Sequence, residues 1–229
     1  MQCVLLCAGK GTRMRPLTEA TPKPLIKVCG KSILEHIVEA LPSEVDELVL
    51  VVGYLQEQIR ELCGNTFLGR HVVYVEQENF AGGTGEALMC AHDVVKGKFL
   101  FMYADDIHGK EALQKVVTYE HAMLGMHSDT PELFGVLVQN EDGTLKEIIE
   151  KPEMPPSNLV NIGGFVVDES IFTYKVELSH LNELFVTDML TAYAQDNPVV
   201  IVEQTQWYPI GYPEHIAAAE AILCPSVID

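Results

Sequence analysis

Two cations follow a glycine-containing turn near the start of the chain. The segment Leu5-Leu6-Cys7-Ala8-Gly9-Lys10-Gly11-Thr12-Arg13 joins an apolar run to that turn, and Lys23 follows between two prolines. The run is typical of a strand buried on both faces, and Gly9 and Gly11 allow conformations and close approaches that a Cβ atom would block. Successive backbone N–H groups in such a turn form a concavity for anions, and Arg13 and Lys23 could neutralise phosphate oxygens. The segment therefore predicts a triphosphate site.

Two adjacent carboxylates end another apolar run. Asp105 and Asp106 follow residues 99–104. Carboxylate oxygens suit Mg²⁺, which usually takes one or two carboxylates together with substrate phosphates and water. Asp105 is the expected metal ligand. Asp106 is an alternative ligand, but its place before a predicted helix favours a helix cap.

A side-chain amide precedes a glycine-rich segment. Gln77 offers both a donor and an acceptor, which could pair with one edge of a nucleotide base while the backbone of Gly82 and Gly83 lies close to the ring. The same pattern fits a solvent-exposed loop in which Thr84 is only a helix N-cap. The residues alone leave both interpretations open.

The order of these motifs resembles that of the sugar-1-phosphate nucleotidylyltransferase family. Its members carry Gly-x-Gly-Thr-Arg, Pro-Leu-Thr and Pro-Lys-Pro-Leu, and this chain has Gly9-Lys10-Gly11-Thr12-Arg13, Pro16-Leu17-Thr18 and Pro22-Lys23-Pro24-Leu25. The resemblance implies transfer of a nucleotidyl group from an NTP to a sugar 1-phosphate, with Mg²⁺ as cofactor and pyrophosphate as the second product. It implies that Arg13, Lys23 and Asp105 are catalytic, and Gln77 favours UTP or dTTP. The implied nucleotide-binding residues are Leu6, Ala8, Gly9, Gly11, Thr12, Arg13, Gln77, Gly82, Gly83 and Thr84.

Three later segments resemble the family's sugar-binding motifs in order and spacing. They are Gly135-Val136, Glu150-Lys151-Pro152 and Asn161-Ile162-Gly163. The resemblance implies that Glu150 accepts hydrogen bonds from sugar hydroxyls, that Lys151 holds the sugar phosphate and that Gly135 lets backbone approach the ring. Asn161 and Gly163 complete the implied sugar-phosphate site. Taken alone, Glu150 and Lys151 would be a surface ion pair of little energetic value.

The C-terminal part departs from the family pattern. A family Trp-x-Asp-x-Gly-Thr segment, which supplies a second metal carboxylate, reads Trp207-Tyr208-Pro209-Ile210-Gly211-Tyr212 here. Proline cannot ligate a metal, so a nearby carboxylate such as Asp106 substitutes, or Mg²⁺ enters mainly with the nucleotide, or catalysis is weak. Two alternatives stay open. One is a cytidylyltransferase for a phosphorylated alcohol such as phosphocholine, and the other is a nucleotide- or sugar-nucleotide-binding protein without turnover.

Composition limits the partners. The formal net charge of −18 argues against a nucleic-acid or anionic membrane surface. No charged leader with an apolar stretch begins the chain, and no apolar run is long enough to cross a bilayer. The six cysteines form no Cys-x-x-Cys pair and are expected to be reduced core residues, and the histidines show no zinc-binding spacing. We therefore expect a soluble, cytoplasmic protein, either monomeric or a homo-oligomer.

Alternating apolar runs and helical patterns predict the fold class. Strands are expected at about 2–8, 47–52, 71–76, 99–104, 133–138, 144–149 and 161–167, and helices at about 32–41, 55–63, 84–94, 109–122, 186–196 and 213–223. This alternation indicates an α/β fold with a Rossmann-like, mostly parallel sheet flanked by helices. The resemblance implies the nucleotide-diphospho-sugar transferase type. One domain is expected over 1–229, with a nucleotide-binding part at about 1–108 and a sugar-phosphate-binding part at about 109–229.

Overall fold

Strands and helices alternate along the chain. The computed structural model describes residues 1–178 and 183–225. The strands are β1 (Gln2–Leu6), β2 (Lys27–Val28), β3 (Lys31–Ser32), β4 (Glu47–Val52), β5 (Thr66–Phe67), β6 (Arg70–Glu76), β7 (Lys98–Tyr103), β8 (Asp106–His108), β9 (Ala122–His127), β10 (Gly135–Gln139), β11 (Leu145–Glu150), β12 (Leu159–Asp168), β13 (Val200–Glu203) and β14 (Trp207–Pro209). The α-helices are α1 (Ile33–Ala40), α2 (Gln56–Cys63), α3 (Gly83–Met89), α4 (Lys110–Val116), α5 (Val186–Tyr193) and α6 (Pro213–Leu223).

One large sheet organises the molecule. In the described residues its strand order is β11-β10-β12-β7-β1-β4-β6-β5, with β9 paired to β12 and β13 paired to β9. The central strands β7, β1, β4 and β6 run parallel. Helices α1, α2, α4 and α6 contribute to the apolar layer on one face, and α3 and α5 to the layer on the other. The predicted α/β class with a mostly parallel central sheet is therefore confirmed.

Strand β4 shows how the sequence builds both layers. Its Leu48, Leu50 and Val52 belong to one apolar cluster, whereas Val49 and Val51 belong to the other. Successive side chains of a strand point to opposite faces of the sheet, so a continuous apolar run fits a strand that is covered on both faces. The strand predicted at 47–52 is confirmed with these bounds.

The sheet continues into the second half of the chain. Strand β12 runs antiparallel to β7, and Phe165 pairs with Phe101 in register. The two rings stack with centroids 5.3 Å apart. Strands β10 and β11 then add antiparallel neighbours beyond β12. The candidate sugar-binding strands therefore lie in the same sheet as the strands of the candidate nucleotide site.

The helix predicted at 109–122 is wrong over its second half. Helix α4 ends at Val116, and the chain returns as β9, which pairs with β12 and with β13. The sequence of β9, Ala-Met-Leu-Gly-Met-His, has no β-branched residue, so local propensity does not favour a strand. Residues Ala122–His127 nevertheless form a strand, because backbone hydrogen bonds to β12 on one edge and to β13 on the other outweigh their weak intrinsic tendency to do so.

Two of the six cysteines are not reduced core residues, contrary to the prediction. Cys29 and Cys224 form a disulfide that joins the turn between β2 and β3 to the C-terminal end of α6. Cys29 adopts a left-handed backbone conformation with φ of 52°, and its N–H donates to Glu220 Oε1 at 2.9 Å. The partners are 195 positions apart, so nothing local signals the pairing. Cys3, Cys7 and Cys63 are free and buried, as predicted.

No helix in the described ranges is both long and apolar enough to cross a membrane.

Candidate functional site

A cavity of about 370 Å³ opens at the carboxyl ends of β1 and β7. Ligand sites in open α/β sheets form at this edge, where the chain leaves the parallel strands. The predicted residues that line the cavity are Leu6, Ala8, Gly9, Gly11, Thr12, Arg13, Lys23, Gln77, Gly83, Thr84 and Asp105. Three separate segments of the sequence thus meet around one space. Gly82 is not part of the described cavity wall; its carbonyl accepts a hydrogen bond from Leu184 N.

Of the two glycines in the turn after β1, Gly9 and Gly11, only Gly11 has a conformation that requires glycine. Gly11 has φ of 57°, and a Cβ there would lie 3.0 Å from Thr18 Cγ2 and 3.1 Å from Lys23 Cβ. Gly9 has open space around its Cα, so the expected close approach at Gly9 is not made within the protein. From Gly9 to Arg13, no backbone N–H donates to an acceptor in the described part of the chain. These N–H groups are therefore available to a bound anion.

Lys23 and Asp105 form an ion pair at the cavity wall. The distance from Lys23 Nζ to Asp105 Oδ2 is 2.8 Å, and the side chains are 9% and 39% exposed. Lys23 lies in a short 3₁₀ helix over Lys23–Leu25, and Asp105 follows β7 directly. Burying a charge is costly unless it is paired, so the Asp105 carboxylate offsets the cost of burying Lys23. The pair therefore fixes the position of the Lys23 ammonium at the cavity wall.

Asp106 does not cap a helix, so that preferred interpretation is wrong. The N-cap of α4 is Gly109, and Asp106 begins strand β8, which pairs with β14. Asp106 accepts hydrogen bonds from Trp207 Nε1 at 3.1 Å and from Ile210 N at 3.0 Å. Burial and the neighbouring charge of Asp105 raise the pKa of Asp106 above its ordinary value. The carboxylate therefore anchors the C-terminal segment that contains Pro209, which lies opposite Asp106 in the strand pair.

The Gln77 loop is held by its own hydrogen bonds. Gln77 is buried, and its Nε2 donates to the carbonyls of Asn79 at 3.1 Å and Gly83 at 3.3 Å. Thr84 is not the N-cap of α3, because Gly82 holds that place; instead Thr84 Oγ1 accepts from Val186 N at 3.2 Å. Both side chains therefore shape the loop. Gln77 Oε1 has no hydrogen-bond partner in the described ranges and stays available as an acceptor.

The candidate sugar-phosphate residues gather beside the cavity without lining it. Gly135 pairs with Glu150 in register, and a Cβ on Gly135 would lie 3.1 Å from Glu150 Oε2 and 3.7 Å from Asn161 Cβ. Asn161 Oδ1 accepts from Gly163 N at 2.9 Å. Lys151 Nζ lies 3.8 Å from Glu150 Oε1 in an exposed ion pair. Burial raises the pKa of Glu150, whereas Lys151 lowers it.

Tyr103 links the two groups of candidate residues, and it belongs to none of the predicted motifs. It lines the cavity as the last residue of β7. Gly163, with φ of 75°, lies so close to the Tyr103 ring that a Cβ would come within 2.6 Å of Cδ2. The sequence feature that could have identified Tyr103 is its position as a hydroxyl-bearing ring directly after the apolar run Phe99-Leu100-Phe101-Met102. Phe80, Glu183, Phe185 and Gly211 also line the cavity and were not predicted to do so.

A buried histidine at the end of β8 makes the stability of the fold depend on pH. His108 is 3% exposed, and its Nδ1 accepts from Gln204 Nε2 at 2.9 Å, whereas His108 Nε2 and Gln204 Oε1 are buried without a partner in the described structure. Burial lowers the pKa of His108 to about 4, with the charge of Asp105 acting in the opposite sense. His108 is therefore protonated near pH 6.5 in the unfolded chain but only near pH 4 in the folded chain. The contribution of neutral, buried His108 to the free energy of unfolding is fully present above pH 6.5 and is lost as the pH falls towards 4.

We expect the double variant His108→Leu with Gln204→Leu to lack the loss of unfolding free energy that His108 causes at acidic pH. Replacing both partners by apolar groups leaves no polar atom without a partner. Between pH 7 and pH 5 the unmodified chain should lose about 2 kcal/mol more unfolding free energy than the double variant, measured by urea titration at each pH. His92→Gln is the matched control, because His92 is an exposed histidine. An identical pH dependence in the unmodified chain and the double variant would contradict the assignment.

Comparisons with known proteins give one consistent family. The family model described as nucleotidyl transferase matches residues 2–224. The bifunctional protein GlmU of Methanocaldococcus jannaschii is 35% identical over 99% of this chain and 55% of its own length. The chain thus spans about half the length of the curated relatives it matches first. The UTP–glucose-1-phosphate uridylyltransferase AglF of Haloferax volcanii is 34% identical over 96% of this chain and 95% of its own length.

Solved structures share the fold. A Bacillus anthracis protein provisionally assigned as a glucose-1-phosphate thymidylyltransferase and solved with sucrose superposes with a TM-score of 0.85, at 23% identity over 99% of this chain and 96% of its own. A UDP-glucose pyrophosphorylase solved with UDP-glucose gives a TM-score of 0.83, at 22% identity over 96% of each chain. At this identity the likeness establishes the fold alone. The sequence matches show that the chain belongs to the sugar-1-phosphate nucleotidylyltransferase family of nucleotidyl transferases.

Proposed function

We propose that the chain transfers a nucleotidyl group from an NTP, with UTP or dTTP preferred, to a sugar 1-phosphate and releases pyrophosphate. The observation that carries the proposal is the meeting of Lys23, Asp105 and the turn from Gly9 to Arg13 in one cavity with the Gln77 loop. The name of the AglF relative supports uridylyl transfer to a sugar 1-phosphate. The nucleotide part is assigned to about 1–108 and the sugar-phosphate part to about 109–229.

In this proposal the turn after β1 holds the triphosphate. The free backbone N–H groups from Gly9 to Arg13 bind phosphate oxygens, and Arg13 neutralises the β- and γ-phosphates. Gln77 Nε2 is engaged with the Asn79 and Gly83 carbonyls, so Oε1 accepts from the N3–H of the base, a donor that uracil and thymine have and cytosine lacks. Gly83 and Thr84 place their own backbone close to the nucleotide base. Leu6, Ala8, Thr12 and Gly82 complete this half.

The sugar phosphate binds across Tyr103 from the nucleotide. Glu150 accepts hydrogen bonds from sugar hydroxyls, and Lys151 binds the sugar phosphate. Gly135 lets the backbone approach the sugar ring beside Glu150 and Asn161. Gly163 keeps Tyr103 in place from the other face.

The residues at the cavity fit a Mg²⁺ ion that one protein carboxylate holds. Asp105 lines the cavity and would be that ligand, whereas both oxygens of Asp106 are occupied by Trp207 and Ile210. Mg²⁺ commonly uses one or two carboxylates, with substrate phosphates and water in the other positions. When bound, the ion would neutralise charge on the reacting phosphates.

The protein contributes positioning and charge to the reaction. A phosphate oxygen of the sugar 1-phosphate attacks the α-phosphorus in line, and the bond from that phosphorus to the α,β-bridging oxygen breaks as pyrophosphate leaves. Lys23 stabilises the charge that develops on the α-phosphate, and Arg13 stabilises the leaving pyrophosphate. No covalent protein intermediate is needed, because positioning and electrostatics carry phosphoryl-type transfers.

Pro209 favours one second candidate, a nucleotide- or sugar-nucleotide-binding protein without turnover. Proline takes the place of a family carboxylate, and the nearest candidate substitute, Asp106, is engaged with the backbone of the same segment. Such a protein would bind NTP in the same cavity and release no pyrophosphate.

One assay separates these functions. The purified full chain is incubated with Mg²⁺, with UTP, dTTP, CTP, GTP or ATP, and with a panel of sugar 1-phosphates and phosphocholine, while pyrophosphate release is measured. Release with UTP or dTTP and a sugar 1-phosphate is the expected result. Release with CTP and phosphocholine would replace the proposal by the cytidylyltransferase alternative. NTP binding by calorimetry without release across the panel would favour the binding protein.

A further inference from the structure

The segment that lacks the metal carboxylate carries an aromatic ring to Arg13, a residue of the cavity wall. Gly211 lines the cavity, and Tyr212 follows it as the residue before α6. The Arg13 guanidinium carbon lies 5.4 Å from the centroid of the Tyr212 ring. A Cβ on Gly211 would lie 3.9 Å from Arg13 Nη1, so the backbone of this segment also approaches the guanidinium. The turn after β1 and the C-terminal segment therefore meet at Arg13.

We propose that Tyr212 is a positioning residue for Arg13, and that the ring sets how tightly the chain binds the β- and γ-phosphates of the nucleotide. The inference rests on the proposed function, because it assigns Arg13 to those phosphates. A cation over an aromatic face is attracted by the electron density of the ring. Tyr212 thereby restricts a long, flexible side chain before the ligand arrives.

An aromatic partner suits an anion-binding arginine better than a carboxylate does. Within the described ranges, no carboxylate pairs with Arg13. A carboxylate would occupy the guanidinium donors and compete with phosphate, whereas the face of a ring leaves the N–H fork free for bidentate contacts. Arg13 therefore keeps both its charge and its donors for the ligand.

Neighbouring contacts hold the Tyr212 ring. His215 packs edge-on against it, with centroids 5.5 Å apart, and His215 Nδ1 lies 3.0 Å from the Pro209 carbonyl and 3.2 Å from Gly211 N. Asp106 fixes the preceding turn through Ile210 N. The segment from 207 to 215 is thus held on both sides of the ring, which supports a positioning role rather than a chance surface contact.

Nucleotide binding without the second substrate tests the inference. Calorimetry measures the Kd of UTP and of UMP in Mg²⁺ buffer for the unmodified chain, Tyr212→Leu, Tyr212→Phe, Arg13→Ala and the double variant Arg13→Ala with Tyr212→Leu. We expect Tyr212→Leu to weaken UTP binding by about 3- to 10-fold and UMP binding by less than about 2-fold, because UMP lacks the phosphates that Arg13 contacts. Tyr212→Phe keeps the ring and should bind UTP with nearly unchanged affinity.

The double variant separates positioning from a general structural effect. If Tyr212 acts through Arg13, Tyr212→Leu should cost no further UTP affinity in the Arg13→Ala background. An equal loss in both backgrounds, an equal loss for UMP and UTP, or no loss at all would overturn the inference. Tyr212 is 43% exposed, so the fold should tolerate leucine, and thermal unfolding verifies this. Absence of both UTP and dTTP binding by the unmodified chain would overturn the proposed function, and this inference with it.

Discussion

Replacing Lys23 with methionine is expected to lower kcat/KM for pyrophosphate release by about 10²- to 10³-fold, the range found when one preorganised charge stabiliser is removed from a transition state. Methionine keeps an unbranched apolar stem, so the change removes mainly the charge. Lys23 is 7% exposed and is held by Asp105 at 2.8 Å, so its ammonium is already placed at the cavity wall before the substrates bind. Because the charge acts on the α-phosphate as the bond to phosphorus forms, kcat should fall more than KM rises.

Lys27→Met is the matched control for this experiment. Lys27 belongs to the same segment but is exposed in β2, away from the described cavity wall. We expect its kinetics to stay within about 2-fold of the unmodified chain, since an exposed surface charge contributes little. The urea unfolding free energy is measured for both variants to exclude loss of fold. Unchanged turnover in a folded Lys23→Met chain would count decisively against the proposed mechanism.

Changing Asp105 to asparagine is expected to produce the second large effect. The variant keeps the size of the side chain but loses the carboxylate that pairs with Lys23 and that we assign to Mg²⁺. Half-maximal activity should require at least about 10-fold more Mg²⁺. Stability should also fall, because the Lys23 ammonium, with 9% of its side chain exposed, is left without its partner. A Mg²⁺ titration of pyrophosphate release measures the first effect and urea unfolding the second.

Asp93→Asn controls for the general loss of one negative charge. The Asp93 side chain is 93% exposed and pairs only with the neighbouring ring of His92 among the described residues. We expect an unchanged Mg²⁺ requirement there. If Asp105→Asn lowers stability but leaves the Mg²⁺ requirement unchanged, Asp105 serves only as the partner of Lys23 and the metal assignment fails.

The parts of the site that follow directly from local sequence are those on the parallel strands. The apolar run of β4 marks a buried strand, and the glycine-containing turn follows β1 as predicted. Parallel strands present their carboxyl ends at one edge of a sheet. The strand pattern alone therefore predicts that the segments containing Gly11, Gln77 and Asp105 meet, and they line one cavity.

The parts that could not be predicted depend on pairing between distant segments. Asp106 looks like a helix cap in sequence, but the pairing of β8 with β14 turns its carboxylate towards Trp207 and Ile210. The disulfide of Cys29 depends on the packing of α6 against the hairpin that contains β2. Tyr103 and Gly163 come together because β7 and β12 are neighbours in the sheet. Residue type and local spacing carry no information about such neighbours.

The continuous sheet also sets the spacing between the strand of Tyr103, β7, and the strand of Glu150, β11. From β7 to β11 there are three strand-to-strand steps, through β12 and β10. At ~4.8 Å each they give roughly 14 Å across the sheet. Antiparallel pairing joins β7 to β12, β12 to β10 and β10 to β11, so the strand of Tyr103 and the strand of Glu150 belong to one sheet rather than to two separate lobes. Under the proposed function, the nucleotide and the acceptor therefore bind along one sheet rather than between two lobes.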